Sequence, residues 1–466
     1  MLKTLKGRFG AFVGDKKFYR EAIAISVPIM VQMGITNFVN LLDNIMVGAL
    51  GTESISGVAI VNQFMFIFNL VIFGSISAAG IFTAQFFGNG DIDGVRHTFR
   101  FKMIINTAVG ILGVLVFVMF QDALINLFIH EAEDGADLAL TVVEAKSYLM
   151  YIIIGIIPYA ISQAYASTLK ETRNTVVPMV SSLVAVFTNL ALNAILIYGL
   201  FGLPAMGVAG AAIATSVSRF VELLILFVWA HTHSNKATFI KGAYRSLAIP
   251  RELIKRISLK GLPILVNECL WACAITMRTQ CYSTRGTENM AAASIASTVF
   301  NVFSVVFYSL GTAVAIMVGN RLGSGDTEGA KDTSRKMIAF AVFVSVIVGA
   351  VVFGFSPLFP KLYDMSDATR GVATYMLMVL ACLMPINAFA NSTYYTIRSG
   401  GRVLITMLMD AGFMWTCVVP VSLILAYATP LSIFWIYPIC QGTEIIKVII
   451  GAILLKKSNW ARSLMQ

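Results

Sequence analysis

The stretch from Val31 to Gly51, VQMGITNFVNLLDNIMVGALG, places a carboxylate in the middle of an apolar segment that is long enough to cross a membrane. Its polar residues Gln32, Thr36, Asn40 and Asp43 follow one another at intervals of four, four and three residues, so they share one face of a helix. A charge at the centre of a bilayer costs roughly 2.5 to 3.5 kcal/mol, and such residues are usually functional. Asp43 is therefore the first candidate for a functional residue.

The composition of the whole chain extends this interpretation. Of the 466 residues, 58% are hydrophobic and 12% are charged, whereas a soluble domain has about 25% charged residues. Long apolar runs recur along the chain, and the alternating strands of about ten residues that are typical of a membrane β-barrel are absent. The sequence predicts an all-α polytopic membrane protein with twelve spans, near 22–50, 56–87, 100–121, 140–168, 175–199, 205–230, 258–283, 290–321, 337–357, 368–396, 403–428 and 430–455.

The positive charges indicate the orientation of these spans. The formal net charge is +10, but lysine and arginine concentrate in alternate connecting segments, which is typical of cytoplasmic loops and argues against nucleic-acid binding. The segments predicted to lie outside carry only Arg285, Lys361 and Arg370 as basic residues. We expect a multi-pass protein of the cell membrane (inner or plasma) with both termini in the cytoplasm. The outer segment between the third and fourth spans is acidic, with Asp122, Glu131, Glu133, Asp134 and Asp137.

An internal repeat divides the chain into two halves. A shift of about 235 residues aligns Pro28 with Pro263 and the motif Gly88-Asn89-Gly90-Asp91 with Gly323-Ser324-Gly325-Asp326. Because each half contains an even number of spans, both halves enter the membrane from the same side, so the repeats are parallel and a binding cavity is expected between them. The predicted domains are an N-lobe, residues 1–230, a cytoplasmic linker, residues 231–257, and a C-lobe, residues 258–466. The linker's amphipathic run Arg251–Ile257 is expected to lie along the membrane surface.

Further polar residues within the spans are candidates for a site. In the first half, Asn189 and Asn193 lie four residues apart on the fifth span, Thr215 lies on the sixth, and Asn62 and Asn69 share a face of the second. Such residues also serve as hydrogen-bonding contacts between helices. We predict that Asp43, with nearby amide oxygens, binds a proton or sodium. A competing interpretation is that Asp43 neutralises a cation, either Arg278 or Arg219.

The second half has its own carboxylates. Glu268 lies on the seventh span with Asn267 and Trp271 beside it, a combination that suits a flat cationic substrate. Alternatively, Glu268 pairs with Arg278 on the same helix. Asp410, on the eleventh span, is a further candidate for substrate binding, whereas the pairs Arg219 with Glu222 and Glu444 with Lys447 are explained by local neutralisation.

Searches for enzyme chemistry find little. The sequence contains no His-Glu-x-x-His, no GxSxG and no GxxxxGK motif, so an intramembrane enzyme is disfavoured and transport would depend on an ion gradient. Cys269 and Cys273 share a helix face, but buried free cysteine usually behaves as a small hydrophobe.

Three segments together resemble the multidrug and toxic compound extrusion (MATE) transporters. They are VPIMVQMGITNFVNLLDNIMVGALGT, FFGNGDIDGVRHTFR with its echo GNRLGSGDTEGAKDTSRK, and KETRNTVVPMVSSLVAVFTNLALNAILIYGLFGLPAMGVAGAAIAT. The resemblance implies a twelve-helix antiporter of two six-helix lobes. Members of this family export organic, often cationic compounds in exchange for protons or sodium.

The resemblance also assigns residues. The carboxylate of the family's first-helix DxxxVG pattern falls on Asp43, the fifth-helix polar pair on Asn189 and Asn193, and the sixth-helix threonine on Thr215. Many members have an aspartate where this chain has Asn193, so the amino-terminal site would hold one carboxylate rather than two, which argues against sodium and leaves proton coupling open. If sodium is the coupling ion, its ligands would be Asp43, Asn189 and Asn193.

The sequence therefore predicts an ion-coupled exporter of small organic, cationic or amphipathic compounds that works by alternating access. Apart from the coupling ion no cofactor is expected, and the expected partners are the organic substrates and membrane lipid. We expect the monomer to be the functional form. The alternative within the same superfamily is a flippase for a lipid-linked oligosaccharide, but that activity would favour a cavity rich in arginine and lysine.

Overall fold

The computed structural model describes residues 12–128, 137–362 and 366–465. Within these ranges, twelve helices are long and apolar enough to cross a membrane, which confirms the predicted fold class. They are α1 Lys16–Gly48, α2 Thr52–Gly88, α3 Ile92–Met119, α4 Leu138–Glu171, α5 Val176–Tyr198, α6 Gly207–Thr232, α7 Arg251–Ser283, α8 Thr287–Gly323, α9 Thr327–Phe355, α10 Asp367–Ser399, α11 Val403–Tyr427 and α12 Ile433–Lys457. Part of the acidic segment, Glu131, Glu133 and Asp134, lies outside the described residues.

Several spans depart locally from α-helical geometry. In α4, a 3₁₀ turn at Ile153–Gly155 interrupts the helix, and a Cβ atom on Gly155 would lie 3.0 Å from the Cα of Ser216 in α6. The helix α11 contains two π-helical segments, Leu408–Gly412 and Met414–Val418. Because π segments are frequent at functional sites, α11 is of interest for function.

The repeat seen in the sequence has a structural counterpart at the start of α3 and of α9. Asp91 accepts a hydrogen bond from the backbone N of Gly94 at 2.8 Å, and Asp326 accepts the corresponding bond from Gly329 at 2.8 Å. The preceding Gly90 and Gly325 have φ values of 75° and 80°, a conformation that favours glycine. The two turns are therefore built from the same residues in the same way.

The chain divides into two compact units, which we describe separately. The N-unit comprises Val31–Thr83 and Asp91–Gly261, and the C-unit comprises Met1–Met30, Ala84–Gly90 and Leu262–Gln466. The division within α1 falls two residues after Pro28, and the division within α7 falls just before Pro263. Each predicted lobe is one continuous range of the chain, whereas each of these units is built from more than one segment. The roles of the lobes stay a prediction.

Each unit has its own apolar core. In the N-unit, α2 contributes Val61, Phe64, Phe68 and Ile72, which pack with residues of α4 and α6. In the C-unit, the core gathers residues of α8, α10 and α12, including Ala292, Ala296, Met376, Leu377 and Ile436. These cores hold the helices that carry the polar side chains of each unit.

The segment between α6 and α7 is packed against the N-unit. Arg100 of α3 donates hydrogen bonds to the backbone carbonyls of Ala243 at 2.7 Å and Gly242 at 2.9 Å. Phe239 and Ala243 in this segment are buried. The expected surface helix at Arg251–Ile257 is not a separate element, because these residues form the first turns of α7, which continues through Pro263.

Within the C-unit, the ends of α2 and α8 cross with their backbones in contact. A Cβ atom on Gly88 would lie 1.8 Å from the carbonyl O of Asn320, and one on Gly323 would lie 1.9 Å from the carbonyl O of Gln85. The side chain of Asn320 donates to the carbonyl O of Ala84 at 2.9 Å. The two glycines are partners in the internal repeat, so the crossing joins equivalent points of two equivalent helices.

Candidate functional site

Asp43 lies in a polar cluster of the N-unit formed by α1, α5 and α6. The amide of Asn193 donates to Asp43 Oδ1 at 2.7 Å. Asn189 and Thr215 are joined by a hydrogen bond of 3.1 Å, and Asn189 lies 3.4 Å from the Asn193 amide nitrogen. The four residues that the family resemblance assigned are thus brought together, while their role in ion coupling stays a prediction.

The orientation of the Asn189 amide depends on the protonation of Asp43. With the nitrogen turned towards Asp43, it donates to Oδ2 at 2.9 Å and to Oδ1 at 3.1 Å, while the amide oxygen accepts from Thr215 Oγ1 at 3.1 Å. This orientation suits an ionised Asp43, which only accepts hydrogen bonds. The opposite orientation points the amide oxygen at the carboxyl group and suits a protonated Asp43 or a bound cation.

Asn193 has unused capacity to bind a ligand. Its side chain is buried, and its Oδ1 atom has no hydrogen-bond partner among the described residues. An unpartnered polar atom in such a place is costly. Together with the oxygen atoms of Asp43, Asn189 and Thr215, this atom makes a donor set that fits a small hard cation.

Two aromatic residues that sequence reasoning missed border this cluster. Tyr148 of α4 is buried, and its side chain interacts with Thr215. Tyr159 of α4 lies beneath the Arg219 guanidinium, 4.7 Å from the ring centre to the Arg219 carbon. Arg219 interacts electrostatically with Asp43 and lies 3.5 Å from Glu222. It therefore offsets the charge of Asp43 as well as that of Glu222 on its own helix.

A buried ion pair lies further along the same unit. Lys102 of α3 is fully buried, donates to Glu171 of α4, and also donates to Thr168 Oγ1 at 3.2 Å. Gly80 of α2 makes room for this pair, because a Cβ atom there would collide with the Glu171 carboxylate. Lys102 is not among the candidate site residues of the sequence analysis, because it lies close to the predicted start of the third span at residue 100.

We expect Lys102→Met to destabilise the protein by about 3 kcal/mol, because removing one partner leaves the other charge buried and uncompensated. Thermal unfolding of the purified protein in detergent measures the loss. The double variant Lys102→Met/Glu171→Gln should recover part of it, since neither residue of the pair then carries a buried charge. A double variant that is less stable than Lys102→Met would contradict this explanation.

The C-unit contains a second polar cluster, built by α7, α11 and α12. Lys447 Nζ donates to Asp410 Oδ1 at 2.6 Å and lies 3.8 Å from a Glu444 oxygen. Asn267 donates to Asp410 Oδ2 at 3.1 Å and accepts from the backbone N of Ala411 at 3.2 Å. Asp410 lies inside the first π-helical segment of α11. The ion pair with Lys447 therefore forms at a point where this helix departs from α-helical geometry.

Glu268 is placed beside this cluster by α7. It interacts electrostatically with Arg398 of α10 and with Asp410. Arg398 is buried, stacks over the Tyr394 ring at 5.5 Å and donates to its hydroxyl at 3.2 Å. The alternative pairing of Glu268 with Arg278 is not formed: the cation that interacts electrostatically with Glu268 is Arg398, and Arg278 donates to Gln441 at 3.2 Å.

Other predicted site residues lie apart from these clusters. Asn40, Asn62 and Asn69 have exposed side chains, and Asn40 makes no hydrogen bond to Asp43. Trp271 packs against apolar residues of α11. Their proposed roles stay predictions.

The described ranges contain no group of three or more His, Cys, Asp or Glu side chains that could hold a metal ion. Cys269 and Cys273 are free and exposed.

The MatE family model matches residues 28–195 and 263–428, which is more than half of the chain. The chain belongs to the MatE family. The two matched segments begin at Pro28 and Pro263, the prolines that the internal repeat aligns.

Several curated proteins are similar to this MatE protein. The "Probable multidrug resistance protein NorM" of Thermotoga maritima is 23% identical over 407 residues, covering 87% of this chain and 85% of that protein. The "Multidrug resistance protein MdtK" of Pectobacterium atrosepticum is 24% identical over 371 residues, covering 79% of each chain.

Solved structures share the fold. One, described as the "Outward-facing conformation of a multidrug resistance MATE family transporter of the MOP superfamily", has a TM-score of 0.85 at 20% identity and covers 96% of each chain. A MOP superfamily transporter from Pyrococcus furiosus has a TM-score of 0.84 at 20% identity, covering 96% of this chain and 98% of that one. At this identity the likeness establishes the fold alone.

Family membership settles the general class of function. This MatE protein is a multi-pass membrane transporter and not an enzyme. Its relatives are multidrug resistance proteins. The predicted family, the class of function and the membrane location are therefore confirmed at this level.

Proposed function

We propose that this MatE protein exports organic cations in exchange for protons or sodium by alternating access. The observation that carries the proposal is the hydrogen-bonded placement of Asp43, a carboxylate within a membrane span, against Asn193. A carboxylate whose partners change when a cation binds can favour one conformation over another, and coupling requires only that difference in affinity.

The N-unit cluster supplies the groups for the coupling ion. A proton would bind the Asp43 carboxylate itself, and the Asn189 amide would turn its oxygen towards the new hydroxyl. Sodium would be held by oxygen atoms of Asp43, Asn189 and Asn193, and the unpartnered Asn193 Oδ1 supports this donor set. Both ions use the same residues, so the coupling ion is a matter for measurement.

The C-unit cluster supplies the charges for the substrate. Glu268 and Asp410 lie on α7 and α11, and both are partly accessible. A carboxylate inside a membrane protein attracts an organic cation strongly, because water does not screen the interaction as it does at an exposed surface. The termini are proposed to be cytoplasmic on the distribution of lysine and arginine, and the monomer is proposed as the functional form.

Ethidium efflux from proteoliposomes tests the proposal. A sodium gradient and a pH gradient are imposed separately on vesicles that contain the wild-type protein. Efflux driven by one of them identifies the coupling ion. No efflux under either gradient, with protein that is folded by its unfolding profile, would overturn the proposal.

Replacing Asn193 by aspartate should strengthen cation binding at the N-unit cluster. In Asn193→Asp, a second carboxylate stands within hydrogen-bonding distance of Asp43, and two neighbouring carboxylates favour a bound cation between them. We expect the sodium concentration for half-maximal efflux to fall about tenfold or more.

The matched control for this variant is Asn235→Asp. Asn235 is an exposed asparagine of the same unit in the segment between α6 and α7, where its Oδ1 atom accepts a hydrogen bond from Lys241, so the same added charge should leave the sodium dependence unchanged. Equal sodium dependence for Asn193→Asp and the wild type would show that residue 193 does not contact the coupling cation.

A further inference from the structure

Lys447 of α12 is held between two carboxylates of the C-unit. Its ammonium group is 2.6 Å from Asp410 and 3.8 Å from Glu444. The side chains of Lys447 and Asp410 are 11% and 17% exposed, so the group is largely removed from solvent and yet accessible. The contact of Lys447 with Glu444 is an ordinary pair of residues three apart on one helix. The shorter contact, of Lys447 with Asp410, joins α12 to the π segment of α11.

The charges of this cluster do not balance. Glu268, Asp410 and Glu444 are three carboxylates, and Lys447 and Arg398 are two cations, so the cluster carries one uncompensated negative charge when every group is ionised. Arg278, the basic residue in the C-unit part of α7, donates to Gln441 at 3.2 Å and forms no ion pair within 4 Å with Glu268, Asp410 or Glu444. Arg278 therefore does not pair with a carboxylate of the cluster.

A linked series of charges in the N-unit gives a contrast. It contains three carboxylates and three cations that are joined by ion pairs and electrostatic interactions. The series consists of Asp43, Arg219, Glu222, Lys170, Glu171 and Lys102. The described charges of the N-unit series are balanced, whereas those of the C-unit cluster lack one cation.

We propose that Lys447 is a resident cation that sets the charge of the accepted substrate at +1. This inference rests on the proposed export of organic cations. One monovalent cation neutralises the C-unit cluster, whereas a divalent cation leaves an excess positive charge beside Lys447 and Arg398. Like charges in a poorly screened site repel one another, so the ammonium group of Lys447 acts against dications.

A pair of dyes tests this inference directly. Ethidium and propidium share one ring system, but ethidium carries a single positive charge and propidium carries two. Dye fluorescence is titrated with purified full-length protein in detergent to obtain the two dissociation constants. We expect the wild type to prefer ethidium, and Lys447→Gln to shift the preference towards propidium by about tenfold or more.

Two further variants separate this role from that of a structural ion pair. Lys447→Arg keeps the charge and should keep the preference for ethidium. The double variant Asp410→Asn/Lys447→Gln removes one charge of each sign, so the cluster again carries one net negative charge and the preference for ethidium should return. A structural pair predicts no such return, because the double variant lacks the pair altogether.

The outcomes distinguish this inference from the proposed function. If the wild type binds neither dye, the export of organic cations is overturned, and this inference with it. If the wild type binds both dyes and Lys447→Gln leaves their ratio unchanged, only the role of Lys447 is overturned. Should Lys447→Gln fail to fold, the comparison of the double variant with Asp410→Asn decides, because Asp410→Asn alone leaves a neutral cluster and should lose ethidium binding.

Discussion

Asp43→Asn should reduce gradient-driven ethidium efflux to the rate of protein-free vesicles. The amide keeps the size of the side chain and can still accept a hydrogen bond from Asn193, but it cannot take up or release a proton and carries no charge for sodium. A cation that binds both conformations equally does not shift the equilibrium between them. The ion gradient can then no longer drive transport.

The variant is compared with the wild type in proteoliposomes under the gradient that drives efflux. Asp367→Asn is the matched control, because its carboxylate is 95% exposed at the start of α10 and the same substitution there should leave efflux intact. Ethidium binding in detergent should persist in Asp43→Asn, since the C-unit cluster is unchanged. Normal efflux by Asp43→Asn would remove Asp43 from the coupling site.

What the sequence predicts well is what lies within a single helix. The apolar runs predicted twelve spans because hydrocarbon thickness fixes their length. The repeat aligned Gly90-Asp91 with Gly325-Asp326, and the structure forms the same turn at both places because a capping side chain and a glycine with positive φ are local requirements. Asp43 was found because a carboxylate within an apolar span is rare and costly.

What the sequence could not supply is which helices are neighbours. The sequence suggested Arg278, on the same helix, as a partner for Glu268, but the cation that interacts with Glu268 is Arg398 of α10. Likewise Lys447 was paired with Glu444 three residues away, whereas its shorter contact is Asp410 of α11. Spacing along one helix reports shared faces, and it carries no information about contacts between helices.

Tyr148 is a further residue whose contact with another helix could not be predicted from the sequence. It is one of many aromatic residues in apolar spans, and nothing in the spacing of α4 separates it from the others. Its interaction with Thr215 comes from the packing of α4 against α6. The hydroxyl group of a buried tyrosine needs a hydrogen-bond partner. This requirement is the one signal for a polar contact at Tyr148.

We expect Gly88→Ala to destabilise the protein by about 3 kcal/mol or more, and Gly323→Ala to do the same. The added methyl group would meet backbone atoms, 1.8 Å away at Gly88 and 1.9 Å away at Gly323, and backbone cannot rotate aside as a side chain can. The helices α2 and α8 would have to separate, which also weakens the hydrogen bond from Asn320 to Ala84. Thermal unfolding in detergent and the yield of monodisperse protein measure the effect.

Gly34→Ala and Gly354→Ala are matched controls, because a Cβ atom at either glycine meets nothing within 4 Å. Alanine is favoured over glycine in a helix by about 1 kcal/mol, so these variants should be as stable as the wild type or more stable. Unchanged stability in Gly88→Ala would show that the two backbones are not in contact at this point.

The double variant Gly88→Ala/Gly323→Ala tests whether the crossing acts as one contact. Both glycines lie at the same approach of α2 to α8, so the separation that the first methyl group forces also makes room for the second. The combined loss of stability should therefore be smaller than the sum of the two single losses, as is typical of residues that share one packing site. Two independent contacts would instead give losses that add. Since the repeat relates the two glycines, less than additive losses would mean that each copy of the repeated sequence accommodates the backbone of the other at this crossing.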